Sequence, residues 1–84
     1  MTDLERRVAD EILRIAREDL RLGPPPAGAA PLAGQLDSLA LLSLVVAVED
    51  RFRIALSDDD GATTRSLEDL ARLVAARAHP EVLP

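Results

Sequence analysis

Eighty-four residues allow one domain, and a hydrophobic fraction of 48% is enough to give it a core. There is no cysteine, so disulfides, thiolate metal sites and thiol chemistry from the chain itself are excluded. The net charge of −5 is concentrated between residues 34 and 60, where six acids face Arg51 and Arg53, and this argues against nucleic acid or an anionic membrane as partner.

Phe52 is the only aromatic residue, so the core must be aliphatic, and the abundance of Leu and Ala favours helices. The charged start, MTDLERRVADEIL, does not resemble a signal peptide, and no run of 18 apolar residues occurs. A cytoplasmic protein is expected.

Thr2 or Asp3 can cap a first helix over about 3–22. Leu4, Val8, Ile12 and Ile15 follow a 3.6-residue period, and arginines fill the far face. Gly23 and the prolines 24–26 stop it. A long irregular connection then runs to Leu36, partly polyproline-like, with Leu32 and Leu36 as its core anchors. Loops of this length in small domains are usually functional.

The second helix, over 38–52, is apolar almost all the way round. Leu41, Leu44, Val45, Val48 and Phe52 share one side; Leu39, Leu42 and Val46 share another, roughly opposite. One core can bury only one stripe, and an exposed apolar stripe marks a partner surface. Ser38 stands at the start of this helix, beside that stripe. An ordinary N-cap would explain Asp37-Ser38, but the second stripe and the long preceding loop favour a functional serine.

Arg53 to Ser57 reads as a loop pinned by Ile54 and Leu56. A short helix follows over 58–63, limited by Gly61. Ser66 caps a last helix over 66–78, with Asp69 as its capping-box acid, Leu67, Leu70, Ala71, Leu73 and Val74 on the core face, and a frayed tail after His79-Pro80. The expected architecture is all-α, one domain over 1–84: a small bundle of three longer helices and one short helix, with a long first loop.

Chemistry of its own is hard to find. Asp58-Asp59-Asp60-Gly61 fails the register of a calcium loop, because Leu56 would stand at the first ligand position. Ser38 has no base nearby in sequence, and the single histidine, His79, lies at the end of the last helix. Neither a metal site nor a catalytic residue is expected, and the chain is not read as an enzyme.

Leu36-Asp37-Ser38-Leu39, with Phe52 and Ile54 following in this helical pattern, resembles the acyl carrier protein family over most of the chain. The resemblance implies that Ser38 receives a 4'-phosphopantetheine arm from coenzyme A through a phosphopantetheinyl transferase. The arm's thiol then carries acyl groups as thioesters, and Asp37 presents the serine or contacts the transferase. It implies further that Leu39, Leu42, Val46, Glu49 and Asp50 meet partners: an acyltransferase or acyl ligase, and a ketosynthase or other acyl-processing enzyme. Ala40 and Ser43 are neutral where fatty-acid carriers are typically acidic, and Arg51 replaces a frequent acid. This fits a discrete monomeric carrier of polyketide-type or related biosynthesis. A peptidyl, aminoacyl or D-alanyl carrier and a non-catalytic helical interaction module are the alternatives.

Overall fold

The first helix begins where Thr2 can serve it. The Thr2 hydroxyl accepts the Glu5 N–H at 3.1 Å, and the Glu5 carboxylate accepts the Thr2 N–H at 2.8 Å, a reciprocal capping box. In the computed structural model, which describes residues 1–22 and 29–84, four α-helices follow one another: α1 (Asp3–Arg14), α2 (Ser38–Phe52), α3 (Asp58–Thr63) and α4 (Leu67–Arg77). The helix stop expected at Gly23 to Pro26, and any polyproline character there, lie outside the described residues.

The first helix is not regular to residue 22. After Arg14 it widens into a π turn, Ile15–Asp19, in which the Leu20 N–H reaches the Ile15 carbonyl at 3.0 Å. Arg21 then turns left-handed at φ 51°, and the Leu22 N–H closes on the Ala16 carbonyl at 2.8 Å. Helical structure therefore ends before the glycine, on an arginine in a conformation usually left to glycine. α1 packs mainly on α4; the π turn packs on α2, to which α1 is also tied by the Glu11–Arg51 ion pair.

The core is aliphatic apart from Phe52. Val8, Ile12, Leu44, Val48, Phe52 and Val74 are fully buried, drawn from α1, α2 and α4. α3 buries no residue. The connection between α1 and α2 carries a 3₁₀ turn, Leu32–Gly34; Leu32 is buried and Leu36 half-buried, and the Leu32 N–H donates to the Arg65 carbonyl at 2.8 Å.

Two local expectations change. The Ser66 hydroxyl caps α4 by accepting the Asp69 N–H at 3.1 Å, but the Asp69 carboxylate reaches back to the Arg65 N–H at 3.2 Å, one residue before the cap. The tail is also packed. Pro80–Val82 forms a 3₁₀ turn, Val82 and Leu83 lie against the core, and Arg51 Nη1 donates to the Val82 carbonyl at 2.6 Å. Among the described residues no helix is long and apolar enough to cross a membrane, and no cluster of three or more potential metal ligands occurs.

Candidate functional site

Asp37 and Ser38 divide two tasks between them. Asp37 is the N-cap of α2, in extended backbone, and its carboxylate accepts the Ala40 N–H at 2.7 Å. Ser38 is the first helical residue and is exposed. The cap that the sequence left open between the pair belongs to Asp37, so the serine hydroxyl is spared from it. At this end of α2 the N–H groups of Ser38 and Leu39 have no carbonyl one turn back within the helix, and the helix dipole adds positive potential. An anionic phosphodiester fits such a position.

The two stripes of α2 separate as the helical spacing predicts. Leu44, Val48 and Phe52 are buried and Leu41 and Val45 half-buried, whereas Leu39, Leu42 and Val46 are 74%, 59% and 46% exposed. Three large aliphatic side chains in a row, beginning one residue after Ser38, form an apolar ridge that the fold leaves uncovered.

The acids at the far end of α2 part company. Asp50 is exposed, in line with Leu42 and Val46. Glu49 is half-buried and turned toward α3. Its carboxylate accepts the Leu56 N–H at 2.8 Å, while its carbonyl accepts the Ile54 N–H at 3.2 Å. Glu49 thus holds the α2–α3 loop, a duty that helical spacing alone does not reveal and that commits its charge inside the molecule.

Arg51 has a comparable role. Its Nε donates to Glu11 at 2.8 Å, its Nη1 to the Val82 carbonyl, and its guanidinium lies 4.8 Å from the Phe52 ring centre. Glu11 is shared with Arg14, and the Arg14 guanidinium first, then Arg51, hold its carboxyl below the usual carboxylate range. The residue that departs from the carrier pattern is the tie between α2, α1 and the tail.

Between α2, α3 and α4 lies a cleft of about 350 Å³ walled by Leu32, Leu41, Val45, Leu56, Leu70 and Leu73. Leu42 also reaches it, one helical turn from Ser38. Its α3 wall is fixed by polar contacts. Ser57 and Asp60 cap the helix reciprocally, at 3.2 and 2.9 Å, and both Asp60 carboxylate oxygens pair with Arg77 of α4. Arg77 first, and the Ser57 N–H after it, hold the Asp60 carboxyl well below the ordinary range. Ser57 as a cap, and the cleft itself, were missed in the sequence. The Ser57–Asp60 spacing carried the cap signal, but the cleft depends on how three helices are spaced.

Compared with protein families, residues 10–74 match the family described as phosphopantetheine attachment site. Comparison with curated proteins gave no match, and comparison with solved structures gave none. The match spans more than half of the chain and contains the whole of α2 and α3. With a serine-led helix inside a four-helix frame, the chain belongs to the phosphopantetheine attachment site family, carrier proteins that hold the 4'-phosphopantetheine prosthetic group.

Proposed function

We propose that Ser38 is the residue that carries the arm and that the protein is an acyl carrier, delivering thioester-bound acyl groups to partner enzymes. The observation that carries this reading is the pairing of an exposed Ser38 at the open end of α2 with the exposed ridge of Leu39, Leu42 and Val46. Asp37 sets the helix start and so presents the serine. The bound arm supplies the thiol that this cysteine-free chain lacks; the protein positions it and does no chemistry of its own.

The uncovered ridge is the surface that a transferase, an acyltransferase or ligase, and a ketosynthase-type enzyme would each meet in turn. The neutral Ala40 and Ser43 leave the first half of α2 without acidic side chains beyond its cap. This favours a dedicated carrier of specialised, polyketide-type biosynthesis over a fatty-acid carrier, working as a cytoplasmic monomer. An aliphatic cargo would find cover in the cleft beside α2.

Incubation with coenzyme A and a broad-specificity phosphopantetheinyl transferase, read by mass spectrometry, tests the attachment. One phosphopantetheinyl group is expected on the unsubstituted chain and none on Ser38→Ala. Modification of Ser38→Ala, for instance on Ser43, would overturn the assignment. An unmodified parent chain would favour a non-catalytic interaction module. Acyl and aminoacyl cargo are told apart by which activated donor loads the holo-protein.

A further inference from the structure

One side chain fastens the stretch that leads into α2. Gln35 Nε2 donates to the carbonyls of Ala30 at 3.1 Å and Pro31 at 3.2 Å. We propose that Gln35 is a positioning residue for the modification of Ser38: its amide locks the 3₁₀ turn Leu32–Gly34, so that the serine meets the modifying enzyme on a chain already ordered. This rests on Ser38 as the attachment residue and adds to it a residue outside α2.

The turn needs such a lock. Its first residue, Leu32, is buried, and the Leu32 N–H is held by the Arg65 carbonyl, beside a backbone bridge between Pro31 and Ser66. Beyond Leu32 the chain runs on the surface: Ala33, Gly34 and Gln35 are exposed, and Leu36 is half-buried. The backbone bonds that close the turn are few. The Gly34 N–H reaches the Pro31 carbonyl at 3.2 Å, and the N–H groups of Gln35 and Leu36 share the Leu32 carbonyl, each at 2.9 Å. A 3₁₀ turn has poorer hydrogen-bond geometry than an α-helix, and Gly34 adds conformational freedom. The Gln35 amide supplies the missing tie, reaching back four and five residues to the far side of the turn. Its side chain is exposed, so these bonds rather than burial hold it there.

Proximity passes this order on to the serine. Gln35 stands three residues before Ser38, roughly 11 Å of chain at most. An enzyme that encloses an exposed serine at a helix start must also meet the turn that leads to it. Where the turn is ordered in the free protein, binding does not have to impose that order. Where it is open part of the time, the apparent affinity falls with the competent fraction, while the bound complex reacts as before.

The test is steady-state phosphopantetheinylation by a broad-specificity transferase with coenzyme A, following KM and kcat separately. Gln35→Glu keeps the shape of the side chain but turns a carboxylate on two carbonyls; Gln35→Ala removes the donor outright. Each is expected to raise KM for the carrier about three- to ten-fold with kcat nearly unchanged, and to speed exchange of the Leu36 amide hydrogen. The deciding arm adds Gly34→Ala to Gln35→Ala. A Cβ at position 34 meets nothing within 4 Å and the backbone there is not left-handed, so alanine stiffens the turn without strain. KM of this double variant should fall back toward that of the parent chain, which the loss of a direct contact between Gln35 and the enzyme would not allow. Unchanged KM in Gln35→Glu overturns the proposal, and so does a double variant whose KM stays as high as that of Gln35→Ala; both leave Ser38 attachment intact. A parent chain that takes no arm overturns the attachment reading, and the role of Gln35 falls with it.

Discussion

The Asp37 carboxylate meets the Ala40 N–H at 2.7 Å, and this single bond assigns the cap of α2 to the residue before Ser38. The two neighbours are therefore separable by mutation. Asp37→Ala should lower stability by about 0.5–2 kcal/mol, the ordinary worth of a helix cap. Ser38→Ala should change stability by no more than about 0.5 kcal/mol, yet abolish modification. Urea denaturation of both variants beside mass spectrometry checks this; a larger stability loss for Ser38→Ala would return the cap to the serine.

The opposed stripes of α2 give a second contrast. Val48 is fully buried, and Val48→Ala should cost about 1–3 kcal/mol by truncating the core. Leu42 is 59% exposed, so Leu42→Ala should leave the denaturation midpoint nearly unchanged and slow partner turnover. The reverse order of midpoints would exchange the two faces.

Glu49 and Asp50 are adjacent in sequence and differently placed, Glu49 bound to the Leu56 N–H and Asp50 exposed. Glu49→Ala breaks the bond to the Leu56 N–H and should cost about 1–3 kcal/mol, because a charged acceptor is lost to a half-buried donor. Asp50→Ala should be neutral for stability and slow acyl loading, acting on association rate. Exposed charges are screened over about 8 Å at physiological salt, so the loading rate should fall only moderately with ionic strength. A flat salt profile with unchanged loading for Asp50→Ala would make Asp50 a solvated residue only.

Arg51→Glu should be destabilising wherever partner binding is left out of account. The substitution would face Glu11 with a like charge and free the Val82 carbonyl. A loss on the order of 1–3 kcal/mol is expected, with the tail released. Backbone NMR of Val82 and Leu83 reads the release directly; an unmoved tail would show that their apolar contacts suffice.

Acid should loosen α3 in a defined direction. Asp60 and Glu11 are both held below their unfolded pKa, Asp60 by Arg77 and Glu11 by Arg14 and Arg51. A depressed carboxylate contributes stability above its unfolded pKa and loses it as pH falls through the folded value. The denaturation midpoint should thus hold at pH 6 and decline below about pH 4. Asp60→Asn should start lower at neutral pH and decline less steeply. Parallel profiles for the two proteins would remove the Asp60–Arg77 pair as a source.

Much of this was legible in the chain. Leu44, Val48 and Phe52 on one side of α2, with Leu39, Leu42 and Val46 on the other, follow from a 100° turn per residue, and Thr2 and Ser66 announce their helices by composition. What was not legible depends on contacts distant in sequence. Arg51 looks like a solvated charge until Glu11, forty residues earlier, and Val82, thirty-one later, are brought beside it. Glu49 looks like a partner-facing acid until the loop folds back and offers the Leu56 N–H. The π turn at Ile15 keeps the apolar spacing of a plain helix, so periodicity alone could not separate the two.

The absence of any buried residue in α3 has its own consequence for how the molecule breathes. Free energy of opening need not be uniform along a chain, and it is lowest where backbone hydrogen bonds lack apolar cover. α3 is held by its capping box and the Arg77 clasp, and the loop before it by the Glu49 bond, while Val48 and Val74 sit inside the core. Hydrogen–deuterium exchange should therefore report two tiers, with Gly61 and Thr64 exchanging by a local event and Val48 and Val74 only on global unfolding. Loosening the clasp with Arg77→Gln should speed the first tier and leave the second behind, so that one wall of the cleft comes away while the bundle that carries Ser38 stays folded.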